Sequence, residues 1–155
     1  MSWYVVYTKP YTEIKASTAL ANLDIEVYCP LITEYRQWSD RIKKIEVPLI
    51  RSYLFVNLTE KERPLVFEVP GIIRYVFWLG KPAIVPNKEI TTMQEWLQND
   101  IQEARVEQLQ PGDRFSIPKG PFKGQDSIIH QVSKNRLQVM LVALGIKITM
   151  KRRAA

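Results

Sequence analysis

Alternating and helical hydrophobic patterns divide the chain into segments of different character. Trp3 to Thr8 is dense in β-branched and aromatic residues and reads as a buried strand. After Pro10, Thr12 is placed to cap a helix, and Ala16, Ala19, Leu20 and Leu23 recur at helical spacing on one face. Val27 to Thr33 predicts a second strand, and polar Gln37 to Lys44, with Ser39-Asp40 at its centre, predicts a hairpin tip. Tyr53 to Leu58 is the strongest strand in the sequence. Thr59-Glu60-Lys61-Glu62 fits a capping box that opens a short helix to about Glu68, with Pro64 early enough to be tolerated. Pro70-Gly71 stops it, Arg74 to Trp78 returns as a strand, and Gly80-Lys81-Pro82 turns. Asn87 is a candidate cap for a third helix, marked by Ile90, Met93, Leu97 and Ile101 and running to about Ala104.

From Pro111 onward the pattern changes to strands and turns. Phe115–Ile117, Ser127–Val132, Leu137–Ala143 and Ile146–Met150 read as short strands. The fold class is therefore α+β. An N-terminal α/β sandwich over residues 1–104 is followed by a polar connector, 105–110, and a small β-barrel over 111–155, closed because so short a segment builds little core.

Charge sharpens this division. The net charge is +6, yet residues 1–100 hold 12 Lys/Arg against 12 Asp/Glu, so residues 101–155, with 10 against 4, carry the whole excess. Such a field attracts polyanions. The chain has one cysteine, Cys29, and one histidine, His130, in different predicted domains. That inventory argues against nucleophilic catalysis, a metal site or a cofactor, and no internal disulfide is possible. With no apolar run near the roughly 18 residues that span a bilayer and no secretory leader pattern, the expectation is a cytoplasmic protein without a membrane partner.

The most specific motif is Gly120-Pro121-Phe122-Lys123-Gly124, nine residues after Pro111-Gly112-Asp113 and set between two predicted strands. It resembles the KOW loop of SH3-like barrels in transcription factors and ribosomal proteins. Further points match one family in order and spacing: Trp3-Tyr4-Val5-Val6, Tyr53-Leu54-Phe55-Val56, Val69-Pro70-Gly71-Ile72 and Lys81-Pro82-Ala83-Ile84-Val85-Pro86. The chain is thereby similar to NusG-family elongation factors, an NGN domain joined to a KOW domain. Tyr7-Thr8-Lys9, Pro30 to Thr33 and Pro48-Leu49 resemble the specialised RfaH-like branch. Arg51-Ser52 stands where the general factor has Pro-Gly.

The resemblance implies an antiterminator that binds the RNA polymerase clamp through its N-terminal domain and suppresses pausing on selected operons. It implies polymerase contacts at Val5, Tyr7, Tyr53 and Phe55, with packing into the domain's own core as the alternative for these four. Lys9, Lys15, Arg41, Lys43 and Lys44 would approach non-template DNA, with a solvated hairpin as the alternative. The barrel, with Phe122 at its loop, would bind a small-subunit ribosomal protein or Rho. The protein is expected to be a monomer and not an enzyme. The competing reading is a ribosome-associated or RNA-binding KOW protein, which explains the basic C-terminal third and leaves the N-terminal half idle.

Overall fold

The computed structural model describes residues 1–98, 101–109, 127–141 and 144–152. The chain is mixed α/β. In order it forms β1 (Ser2–Thr8), α1 (Glu13–Asn22), β2 (Glu26–Tyr28), β3 (Leu31–Gln37), β4 (Ile42–Pro48), β5 (Tyr53–Leu58) and a 3₁₀ helix (Glu60–Glu68). There follow β6 (Ile72–Tyr75), β7 (Phe77–Trp78), β8 (Lys81–Pro82), β9 (Ile84–Val85), α2 (Asn87–Leu97), β10 (Ile101–Gln108), β11 (Ser127–Ser133), β12 (Arg136–Leu141) and β13 (Ile146–Arg152).

The central antiparallel sheet runs β2-β5-β1-β6, and β9 shares the β6 edge of β1. Alternation along β1 separates two cores. Tyr4 and Val6, with Leu54 and Val56 of β5, bury against Ala16 and Leu20 of α1. Trp3 and Val5, with Phe55, bury on the opposite face with Ile90, Met93 and Trp96 of α2. The Trp3 indole N–H donates to Asn87 Oδ1 at 3.1 Å and ties β1 to the start of α2. This is the expected N-terminal α/β sandwich.

Several predicted boundaries move, each for a local reason. Pro30 has no amide hydrogen to give a ladder, so the strand expected over Val27–Thr33 divides into β2 and β3. The predicted hairpin at Gln37–Lys44 is longer: β3 and β4 pair from Leu31↔Pro48 to Gln37↔Ile42 as a separate two-stranded arm. The strand expected over Arg74–Trp78 is interrupted at Val76, and β7 and β8 form their own small hairpin. Leu79 and Gly80 at its turn have φ of 54° and 79°, the paired positive angles of a type I′ hairpin. Thr12 precedes α1, but its hydroxyl donates back to Lys9 O at 2.6 Å and does not cap the helix. On α1 the buried positions are Glu13, Ala16 and Leu20, while Leu23 is exposed. The Thr59–Glu62 capping box forms as predicted: Glu62 Oε1 accepts from both the amide and the hydroxyl of Thr59, and these bonds lower the Glu62 pKa.

The helix expected to reach Ala104 ends at Leu97, and Asn87 is its first residue with Pro86 before it. Residues 101–108 instead form β10, taking in both the last predicted turn and most of the predicted connector. Ala104 and Val106 alternate with Glu103, Arg105 and Glu107, and a strand can place that period-two pattern on two faces. β10 pairs with β13 in a second antiparallel sheet, order β10-β13-β12-β11. Leu137, Val139, Ile148 and Met150 form its apolar face, and they belong to the same core cluster as Phe55, Met93 and Trp96. The Arg152 guanidinium lies 4.2 Å from the centroid of the Trp96 ring. The described residues of the C-terminal third therefore make a four-stranded sheet packed into the α2-side core. The predicted strand Phe115–Ile117, needed for barrel closure, lies outside the described residues.

Candidate functional site

The register of β1 and β5 sets Val5 opposite Phe55 and Tyr7 opposite Tyr53. All four candidate contacts therefore share one face of the central sheet, as alternation requires. Their environments differ. Val5 and Phe55 are 1% and 0% exposed, sealed among the α2 residues, and Tyr28 stacks on Phe55 with ring centroids 6.2 Å apart. For these two side chains the structure gives the core placement. Tyr7 and Tyr53 are half-buried at the end of the sheet, their ring centroids 5.5 Å apart. Arg74 of β6 pairs with Tyr7 from the other side and holds its guanidinium 5.5 Å from the Tyr7 ring centroid. The resulting row across three strands, Tyr53, Tyr7, Arg74, presents two aromatic rings and a charge at one surface. Arg74 was not singled out in the sequence, because the strand that carries it contacts Tyr7 only through the sheet.

This row adjoins the turn into α1. Lys9 N–H donates to Gly71 O at 2.9 Å, and Thr8 N–H donates to Ser52 O at 2.8 Å. A Cβ on Gly71, whose φ is +100°, would lie 3.2 Å from Thr12 Oγ1, so glycine lets the two segments close up. Buried Glu13 reaches across 39 residues to accept the Ser52 amide at 2.9 Å. Ser52 itself has φ of 68°, a left-handed conformation that glycine adopts without penalty. The departure from Pro-Gly at positions 51–52 thus falls on a position whose backbone favours glycine. Ser52→Gly is expected to stabilise the fold by up to about 1 kcal/mol, seen as a higher melting temperature, because the amide bond to Glu13 survives while the strain is relieved.

The basic candidates fall into two groups. Lys9 and Lys15 are exposed at the start of α1. Arg41, Lys43 and Lys44 lie at the outer end of the β3–β4 arm, where Lys43 Nζ sits 5.7 Å from the Trp38 ring centroid. The beginning of α1 and the base of the arm form the walls of a cleft of about 440 Å³, whose lining includes Tyr11, Glu34, Arg36, Glu46 and Arg51. Glu34 also pairs with Arg36 at 3.4 Å. Exposed Trp38, absent from the predicted set, adds an aromatic to the basic arm. The loop Gly120, Pro121, Phe122, Lys123 and Gly124 lies outside the described residues.

The described residues contain no group of three or more His, Cys, Asp or Glu able to hold a metal. Burial, aided by the charge of Glu13, pushes the Cys29 thiol up to about 11. At pH 8 the thiolate fraction then falls roughly 100-fold below that of a thiol near pKa 9, so Cys29 is expected to react slowly with a disulfide reagent. The rate should climb tenfold per pH unit until about pH 11 and match that of unfolded protein only after denaturation.

A family model described as transcription termination factor nusG matches residues 1–94. The transcription termination/antitermination protein NusG of Rickettsia felis is 23% identical over 157 residues, covering 92% of this chain and 82% of that one. A solved structure of Thermotoga maritima NusG, concerned with its domain interaction, covers 99% of this chain and 97% of its own, at 18% identity and a TM-score of 0.43. A chain of the MjSpt4:Spt5 complex covers 97% of this one and 99% of its own, at 16% identity and a TM-score of 0.35.

Proposed function

The chain belongs to the NusG family of transcription termination and antitermination factors, and from that premise we propose that it binds the RNA polymerase clamp through the end of its central sheet and suppresses pausing. The observation that carries this reading is the row Tyr53–Tyr7–Arg74, in which two half-buried aromatic rings and a guanidinium share one end of the central sheet. Aromatics and arginine held in this way are the side chains that dominate protein interfaces. Members of the family are transcription factors and not enzymes. No helix among the described residues is long and apolar enough to cross a membrane.

The specialised, RfaH-like reading is part of the proposal, with action on selected operons by a cytoplasmic monomer. Lys9 ahead of α1, Lys15 on it, and Arg41, Lys43 and Lys44 on the arm are the groups proposed to meet the non-template strand, with phosphate contacts supplying position and salt sensitivity. Division into an NGN domain and a KOW domain is likewise proposed, although most of the connector expected over 105–110 is taken up by β10. The KOW domain's loop 120–124 would engage a ribosomal small-subunit protein or Rho. A pause assay tests the reading: the full chain should shorten the pause lifetime on a long template. Lys9→Ala with Arg41→Ala should reduce recruitment to paused complexes, most strongly at low salt, where phosphate contacts are least screened. Unchanged pausing by the wild-type chain would overturn the elongation role, and unchanged recruitment of the double variant would exclude the basic surface.

A further inference from the structure

Arg51 and Ser52 stand where general factors of the family have Pro-Gly, and the polymerase row makes no use of them. Both line the cleft of about 440 Å³ between the start of α1 and the base of the β3–β4 arm. That volume lies within the roughly 300–1,000 Å³ of small-molecule sites. Part of the wall is apolar, formed by Tyr11, Ile14, Val47 and Pro48. Tyr11 is 95% exposed and held at a φ of 65°, so with Ser52 two left-handed residues other than glycine border one cavity. Such conformations are unfavourable and gather at ligand-binding sites. The charges of the cleft are three carboxylates, Glu13, Glu34 and Glu46, against two guanidiniums, Arg36 and Arg51. Glu34 and Arg36 pair at 3.4 Å, which leaves Glu46 and Arg51 with no ion-pair partner among the described residues. Glu13 is only 4% exposed. Its Oε2 accepts the Ser52 amide, and its Oε1 has no hydrogen-bond partner among the described residues. A carboxylate so far from water attracts a cation more strongly than one on the open surface.

We infer that this cleft binds a free basic amino acid, with L-arginine as the type. The α-carboxylate of the ligand meets the unpaired Arg51 guanidinium, whose forked donors match two carboxylate oxygens. The α-ammonium and the side-chain cation meet Glu46 and Glu13. The methylene stem lies along the apolar wall, as long basic side chains do on apolar surfaces. Three carboxylates against two guanidiniums leave the lining one negative charge, which the single net positive charge of the ligand neutralises. The same excess of carboxylates repels phosphates, so a nucleic-acid strand is not the occupant. Proline at position 51 would supply no guanidinium, so the site comes with this chain's departure from Pro-Gly. A ligand held there ties the arm to α1. None of the lining residues belongs to the row Tyr53–Tyr7–Arg74, so the site goes beyond the polymerase reading and does not rest on it.

The test is isothermal titration of the full chain with L-arginine and with three analogues. Agmatine lacks the carboxylate, L-citrulline lacks the side-chain charge, and N-acetyl-L-arginine amide stands for an arginine inside a polypeptide. The expected result is saturable binding of one L-arginine, with each analogue bound at least about tenfold more weakly. Arg51→Gln should weaken L-arginine at least about tenfold and leave agmatine unchanged, whereas Glu46→Gln should weaken both. Both side chains are exposed, so each variant should melt like the wild type. The inference is overturned if millimolar L-arginine gives no saturable binding, or if both variants bind it like the wild type. Blocked arginine bound as tightly as the free amino acid would assign the cleft to a partner polypeptide and overturn it as well. So would displacement of L-arginine by single-stranded DNA from the wild type and not from Arg51→Gln, which would give the cleft to nucleic acid.

Discussion

Replacing Tyr53 with alanine is expected to weaken binding to core RNA polymerase about 30-fold, a loss of roughly 2 kcal/mol, while the melting temperature falls by only a few degrees. Tyr53 packs on the edge of the α2-side core but keeps a free side, where its ring tilts against Tyr7. Truncation therefore removes an interface anchor and opens only a shallow defect in the fold. Tyr7→Ala should behave similarly and should also release Arg74, whose guanidinium rests on the Tyr7 ring. Titration of labelled polymerase, with thermal melting of each variant alongside, separates the two effects. Normal affinity in both variants would remove the row from the interface.

Phe55→Ala is expected to do the opposite. Phe55 is fully buried between Val5, Tyr28 and the α2 residues, and deleting a ring of that size from a close-packed site costs about 3–5 kcal/mol. Native stabilities are about 5–15 kcal/mol, so much of the margin disappears and the protein should melt far earlier and with a broader transition. Any fall in polymerase binding would then follow the unfolded fraction. A Phe55→Ala protein that melted like wild type and lost only affinity would show that this side chain faces a partner and not α2. The pair of variants thus assigns two residues of one strand, two positions apart, to different tasks.

What the sequence made legible follows from the range of the interactions involved. β1 and β5 are declared by their own residues, and the Thr59–Glu62 capping box closes over three residues, so both were found at sight. Alternation sets Val5 with Tyr7 and Tyr53 with Phe55, and the register of β1 with β5 puts both pairs on one face. Alternation does not tell what covers that face. The cover is the cluster completed by α2 and the second sheet, more than 30 residues further on; Tyr53 packs only against its edge and Tyr7 is not part of it. Glu13 is a similar case: a glutamate in a first helical turn reads as a solvent-facing dipole partner, yet it is buried by its bond to Ser52 across 39 residues.

The end of α2 is masked in the sequence by two overlapping periods. Ile90, Met93, Leu97 and Ile101 continue a helical spacing, whereas Glu103-Ala104-Arg105-Val106-Glu107 alternates strictly. Pairing Ala104 with Met150 and Val106 with Ile148 decides between the two periods. Arg74 and Trp38 carried no motif, and their contacts with Tyr7 and Lys43 arise only once strands are laid side by side. The loop 120–124, which the sequence singles out most sharply, lies outside the described residues.

The central claim, that the end of the central sheet holds RNA polymerase, is tested most directly by immobilising the full chain and offering it core RNA polymerase and free ribosomal RNA in parallel. The account predicts that polymerase is retained by the wild-type chain and lost from the folded Tyr7→Ala, Tyr53→Ala double variant. Retention of ribosomal RNA without polymerase, or of polymerase equally by both proteins, would contradict it.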